Sequence, residues 1–338
     1  MSIKLRIKRR LFERVLRKRS KTHPFDPDYA ENYQTPDGAD KFHNNSYYFS
    51  AHDIAGNSLL FRHGYRGTEL VEAWFAYRDA DGNAYINEKQ FFENEEPSTG
   101  VELVEAAKTW KFSFAGSLKN IHTDETIEAK FEGTFEATAE IFDFGTGLDP
   151  RIMAKGIANE KWSRAFFSTL QENNQVHTEQ PGKVTGTLEL DGKKTKIDSP
   201  AMRDHSFGKR DWNYMNRHFW LMALFEDGSH LNANAVSYPA VNLLQTGYMQ
   251  KDGEVMCVED AEIIGEMKPY EVPKKFTYTA KLADGTPVRV TCEEQDTFVF
   301  PFDNGNYTIY EGVGTFEKDG LKGRGVLEFG FNKDASRL

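Results

Sequence analysis

The run Glu69-Leu70-Val71-Glu72-Ala73-Trp74-Phe75-Ala76-Tyr77, the pair Asp81-Gly82 and the run Ala84-Tyr85-Ile86 decide the fold. Asp-Gly between alternating runs is the strongest short-range hairpin signal, because both turn positions need a positive φ. The pair recurs at Asp191-Gly192, Asp227-Gly228, Asp252-Gly253, Asp284-Gly285 and Asp319-Gly320, each time between segments rich in Val, Thr, Phe or Tyr. Successive antiparallel hairpins of this kind build a sandwich or an up-and-down barrel. Composition agrees: 26 Phe and 14 Tyr, many in alternating runs, suit the pleated surface of a sheet.

Working outward, Tyr47 to Phe49, Ser58 to Arg62, Thr109 to Leu118 and Ile127 to Phe144 read as strands, the last alternating for a long stretch with Gly133 as a bend point. Pro150 to Asn173 breaks the pattern. There Ile152, Ala158, Trp162, Phe166 and Leu170 share one helical face, which predicts a helix that caps a barrel or joins two. Gln180-Pro181-Gly182 reads as a turn, and Val184 to Ile197 as a hairpin. Strands then continue from Phe219 to Phe331, about as many as before the helix. The expected division is a helix over 1–22, a linker over 23–45, and β domains over 46–182 and 183–338.

The first 21 residues hold ten Lys or Arg against Glu13, a net charge of +9, so the remainder of this chain of net charge −10 carries −19. Ile3, Ile7, Leu11 and Val15 recur at helical spacing, with no continuous apolar stretch for a secretory signal or a membrane span. Three roles fit: an amphipathic helix on an anionic membrane surface, an organelle presequence, or a helix docked on the acidic body. The acidic body argues against a nucleic-acid partner. Two cysteines, Cys257 and Cys292, make no disulfide framework and favour a reducing, cytoplasmic setting. No Cys/His cluster has metal spacing, so no metal is expected. No nucleophile elbow, phosphate loop or dinucleotide fingerprint occurs, and Gly312 to Gly325 reads as a hairpin. His122 and His177 read as loop residues without recognisable partners.

One stretch concentrates chemistry: Arg203-Asp204-His205-Ser206-Phe207-Gly208-Lys209-Arg210-Asp211-Trp212. Five full charges do not sit on a packed strand unless they pair or face a cavity. It reads either as the charged floor of a pocket or as a salt-bridge knot joining two halves of the protein. The stretch resembles the RDHSWGxRDW signature of a lipocalin-like superfamily that includes carotenoid 1,2-hydratases and AttH-like proteins. Ser46 to Phe49 with Glu72 to Trp74, and Glu311-Gly312 with Gly323 to Gly330, resemble the two ends of that family. The resemblance spans about 45–332.

It implies two tandem lipocalin-like units with a hydrophobic cavity, and hydration, cyclisation or cycloaddition of isoprenoid or polyketide-like substrates without metal or organic cofactor. It also implies proton handling by the motif's His and by a carboxylate two strands on. The chain departs from the pattern at Phe207, where the family has Trp, and at Leu231-Asn232-Ala233-Asn234-Ala235, which holds amides where the acid belongs.

The resulting expectation is an all-β protein acting on a hydrophobic small molecule by proton transfer, such as isomerisation, cyclisation or hydration. His205 is the acid/base, whose ordinary pKa lies near neutrality. Asp204, Arg203 and Arg210 orient it, although burial alone would also make Asp204 an acid. Trp212, Trp220 and Tyr238 supply aromatic faces for a developing cation. Asn232 and Asn234, alternating on one strand, point together into the cavity and bind the polar end of the substrate. The rival is a lipid-binding or lipid-transfer protein with the same cavity and no chemistry. His205 lining the cavity favours the first; His205 sealed beneath it does not.

Overall fold

The computed structural model describes residues 2–22, 24–172, 175–265, 268–302 and 305–335. His23 of the expected linker and Asn173 of the expected helix lie outside them.

Eleven strands form the first sheet: β1 (His43–His52), β2 (Ser58–Arg66), β3 (Leu70–Arg78), β4 (Ala84–Asn87), β5 (Phe91–Glu93), β6 (Thr99–Glu105), β7 (Thr109–Asn120), β8 (Thr126–Ala137), β9 (Phe142–Asp143), β10 (Gln175–Leu190) and β11 (Lys193–Lys209). The order β11-β1-β2-β3-β4-β7-β8-β10, with β10 also pairing β11, closes a ring. The second sheet is a closed barrel of β12 (Arg217–Phe225), β13 (His230–Ser237), β14 (Leu244–Lys251), β15 (Glu254–Ile264), β16 (Lys275–Leu282), β17 (Pro287–Phe302), β18 (Tyr307–Lys318) and β19 (Leu321–Asn332). The helices are α1 (Ile3–Thr22), α2 (Pro27–Glu31), α3 (Pro150–Asn159) and α4 (Arg164–Glu172). The chain is thus two tandem lipocalin-like barrels with few helices.

Two compact units result, the first from 26–142 with 175–210, the second from 1–25, 143–174 and 211–338. The expected boundary at 182/183 is therefore displaced. β10 and β11 run far beyond the expected hairpin, pair with β8 and β1, and carry the charged motif into the first barrel. Gln180-Pro181-Gly182 is not a turn but part of β10. Its ladder to β8 begins at Gly182, so the missing Pro181 N–H costs no bond to that strand. The linker holds α2, capped by the Asp26 carboxylate, which accepts from the Tyr29 amide at 3.2 Å.

The single helix expected over 150–173 is two. Glu160 turns extended after α3, and the Ser163 hydroxyl accepts from the Phe166 amide at the start of α4. Ile152 of α3 joins the core of the second barrel. The long strand read from Ile127 ends at Ala137. Gly133 is needed for space: a Cβ there would lie 2.4 Å from the Phe131 ring.

The lumen of each barrel is filled by side chains. In the first, Phe49 stacks on Phe112 at 4.4 Å between ring centres, and Phe75 on Phe114 at 4.4 Å. In the second, Phe219, Phe276 and Phe329 meet edge to face or tilted. Cys257 and Cys292 are both free.

Candidate functional site

Alternation along β11 divides the charged motif. In a strand, successive side chains point to opposite faces. Ile197 and Ala201 belong to the first barrel's core, so Arg203, His205 and Phe207 face the lumen. Asp204 and Ser206 face away from it. The two residues expected to act together, Asp204 and His205, are thus on opposite sides of the sheet, and Asp204 does not orient His205.

On the lumen face, Arg203 is sealed at 1% exposure and donates to Glu31 of α2 at 2.9 Å and to Gln180 at 2.7 Å. The other Glu31 oxygen accepts from the Ala107 amide and the Trp110 indole. A full carboxylate under a barrel mouth is thereby held by a guanidinium and two N–H groups, the condition for burying it. His205 is also 1% exposed. Its Nε2 lies 2.9 Å from Asn45 Oδ1, and its ring stacks on Tyr47 at 4.4 Å. Burial, then Arg203 and His177, push its pKa well below the ordinary value, so the imidazole is neutral. Asn45, Tyr47, Trp110, Tyr65, Thr35 and Leu103 help line a cavity of about 550 Å³. His205 lies behind Asn45 and Tyr47 rather than on its surface.

The opposite face carries a denser polar network. Register places Glu179, Asp204, Tyr48, Arg62 and Trp74 in one row across β10, β11, β1, β2 and β3. The next row reads His177, Ser206, Ser46, Gly64 and Glu72. Glu72 accepts from Arg62 at 3.2 Å and from Arg66 at 2.6 Å, and all three are nearly sealed. Arg62 also lies over the Trp74 ring at 5.0 Å. Asn44 donates to the Ser206 carbonyl, and Arg210 donates to the Ser206 hydroxyl and to Gln175. Gly64 leaves room for this: a Cβ there would sit 3.3 Å from a Glu72 oxygen and 3.4 Å from Arg62 Nε.

Beside that fixed lattice, His177 Nε2 lies 3.1 Å from Asp204 Oδ2 and 3.7 Å from Glu179 Oε1. Burial raises the Asp204 pKa to about 6. His177 opposes the rise, Glu179 adds to it, and Arg210 and Arg62 oppose it. Glu179 is sealed, whereas His177 and Asp204 keep 19% and 16% of their side-chain surface open. The pair therefore joins a carboxyl that titrates near neutrality to an imidazole whose contacting nitrogen, Nε2, is itself sealed from solvent. The three groups also offer ligand atoms within 4.8 Å of one another, a one-nitrogen, two-oxygen set that the sequence did not suggest.

His177 is not a loop residue: it lies in β10, where the longer strand brings it opposite Ser206 and next to Asp204. Its spacing from Glu179 was a usable signal, because residues two apart share a face of a strand. Glu72 and Arg62 were legible as charges inside otherwise apolar strands. Glu31 gave no signal, because it sits in a stretch read as linker.

The remaining candidates belong to the second unit. Asn232 and Asn234 do not point into the barrel. Leu231, Ala233 and Ala235 occupy the lumen, which forces the two amides to the outer face. There they are buried, Asn234 donating to Asn232 Oδ1 at 2.9 Å and accepting from Thr246. Trp212 packs on Phe302 and Tyr307, Trp220 on Phe144, and Tyr238 stacks on Tyr214. On the outer face of that barrel, His218 bonds both Glu328 and Tyr307, a pairing the sequence reading missed.

Two closed eight-stranded antiparallel barrels in tandem, each filled by aromatic side chains, define a protein of the tandem lipocalin-like class. Within it the chain belongs to the family described as a domain of unknown function (DUF7064), whose model matches residues 28–333. A Nitrosomonas europaea protein described as a putative AttH has a similar structure, with a TM-score of 0.59 and 13% identity over 91% of this chain and 96% of that one. So has kievitone hydratase of Nectria haematococca, with a TM-score of 0.53 and 12% identity over 90% of this chain and 94% of that one. No curated protein matches the chain in sequence.

Proposed function

We propose that this protein is an enzyme that moves a proton on a hydrophobic small molecule, by isomerisation, cyclisation or hydration, with Asp204 and His177 as the acid/base pair. The observation that carries the reading is the 3.1 Å contact between His177 Nε2 and Asp204 Oδ2, where burial raises the carboxyl to about 6. A carboxyl in that range both gives and recovers a proton near neutral pH, as general acid–base catalysis requires. Two carboxyl environments differ here by design: Glu72 is locked between two arginines, whereas Asp204 is left to titrate. His205 becomes a positioning residue, holding Asn45 and Tyr47 at the barrel mouth. A hydratase of the same architecture, kievitone hydratase, is consistent with hydration chemistry in this fold.

The test is deuterium exchange in heavy water over a panel of isoprenoid alkenes and polycyclic ketones, read by mass spectrometry. Asp204→Asn and His177→Gln each lower exchange or water addition by about 100-fold or more, the usual contribution of a general acid or base. His205→Gln leaves most of the activity. Full activity in His177→Gln removes the pair from the chemistry.

A second reading, carriage of a hydrophobic ligand without chemistry, is favoured by the cavity at the mouth of the first barrel, with Tyr47, Tyr65, Trp110 and Leu103 in its lining. Under it, native mass spectrometry finds a bound lipid and no member of the panel exchanges.

A further inference from the structure

The helix α1 has two different faces, and only one is used inside its unit. Phe12 packs on Trp162 at 6.2 Å and on Phe167 at 6.3 Å. Lys8 donates to the carbonyls of Ala158 and Glu160, at the end of α3, and lies over Trp162 at 4.9 Å. A lysine on the last carbonyls of a helix is favourable with its dipole. Leu5, Phe12 and Leu16 are half-buried on this side.

The other side holds Ile3, Ile7, Leu11 and Val15 at exposures of 77%, 54%, 49% and 57%. Four-residue spacing keeps them on one slowly winding stripe. The same side carries exposed Lys4, Arg10, Arg14 and Lys18 between and beside them. Docking of the helix thus leaves outward the apolar residues that folding would otherwise bury, interleaved with cations. Solvent does not reward an aliphatic stripe of that length.

We infer that the docked α1 is a membrane-contact element, laying the stripe Ile3–Ile7–Leu11–Val15 into an anionic lipid surface while the opposite side of the helix stays fixed to α3 and α4. Charge selects this occupant. The first 21 residues carry +9 against −19 for the rest, so the helix concentrates the positive charge that an anionic surface attracts. A second copy would bring +9 against +9. A nucleic acid would have no use for four aliphatic side chains along the middle of the contact. Amphipathic helices of about 20 residues lie in the interface plane in this way without crossing it. Among the described residues, no helix is long and apolar enough to span a membrane.

The experiment is co-sedimentation of the 338-residue chain with vesicles of phosphatidylcholine alone or with about a third phosphatidylserine, which supplies the anionic surface. Partitioning onto the anionic vesicles exceeds that onto the neutral ones by about tenfold or more, and falls by most of that factor at high salt, where the screening length shortens to about 3 Å. The double variant Ile7→Ser/Leu11→Ser loses about tenfold in binding to anionic vesicles with an unchanged melting temperature, because both side chains are exposed. Equal binding to both vesicle types, no binding to either, or an unaffected double variant overturns the inference. So does sedimentation showing a dimer that the double variant dissolves, which assigns the stripe to a second copy.

Discussion

Asp204, the acid of the proposed reaction, is held at a cost to the fold, and Asp204→Asn measures that cost. The folded carboxyl titrates at about 6 rather than at the ordinary aspartate value of 3.8, chiefly because it is buried. A shift of about two units corresponds to about 3 kcal/mol. The sign follows from where the proton sits. Below pH 3.8 both folded and unfolded chains hold it, and Asp204 costs nothing. Between 3.8 and about 6 the unfolded chain releases it while the folded chain keeps it, so stability drains away as pH rises. Above about 6 both are ionised, and the full penalty of about 3 kcal/mol stands. Asparagine keeps the shape and an acceptor oxygen for His177 but cannot ionise. Urea denaturation at half-unit steps from pH 4 to pH 8 therefore shows the variant gaining on the natural protein across pH 4 to 6, then running parallel to it at an advantage of up to about 3 kcal/mol. Under the proton-transfer proposal the same variant has little turnover at any pH in the series. A variant less stable than the natural protein at pH 8, or an advantage already present at pH 4, refutes the assignment of Asp204 as a buried, titrating acid.

Glu31→Gln leaves the Arg203 guanidinium buried against a neutral partner and lowers stability by about 3–5 kcal/mol in denaturant titration, with loss of protection at the Ala107 amide in hydrogen exchange. The proton-transfer reading expects activity to survive exhaustive chelation. A metal ion bound one to one and absent from Asp204→Asn, measured by elemental mass spectrometry, turns the His177, Glu179 and Asp204 group into a metal centre instead. Phe12→Ala removes the ring between Trp162 and Phe167, costs about 1–3 kcal/mol of local stability, and exposes α1 to limited proteolysis while the barrels keep their melting transition.

Hairpin chemistry was legible because it is local. Asp191, Asp252 and Asp319 adopt positive φ followed by a positive-φ glycine, the backbone that Asp-Gly encodes. Filled barrels were legible from Phe and Tyr in alternating runs. The ends of β10 and β11 were not, since Pro181 and a run of charges are local signals against a strand, and only pairing with β1 and β8 overrides them. The same failure explains the site. Knowing that Arg203 to Lys209 was a strand would have separated Asp204 from His205 at once, and would have put His177 and Glu179 beside Asp204. The outward turn of Asn232 and Asn234 was decided by their small neighbours Ala233 and Ala235, which fit a crowded lumen better than amides do. Alternation alone could not say which of the two sets faced in.

The first barrel is discontinuous along the chain, and that fixes the order in which the protein can be made. β1 pairs with β11, as in Tyr47 with His205, across about 160 residues. The ring stays open on the ribosome until Lys209 has emerged, with the aromatic interiors of β1, β2 and β3 unsealed meanwhile. Helices α3 and α4 emerge earlier, yet belong to a unit whose strands do not begin until Arg217. A gene cut between 142 and 175 therefore yields two fragments, each missing part of its own barrel or helical layer. The one clean scission that respects both rings lies at 210/211, and even there the second fragment leaves α1, α3 and α4 behind.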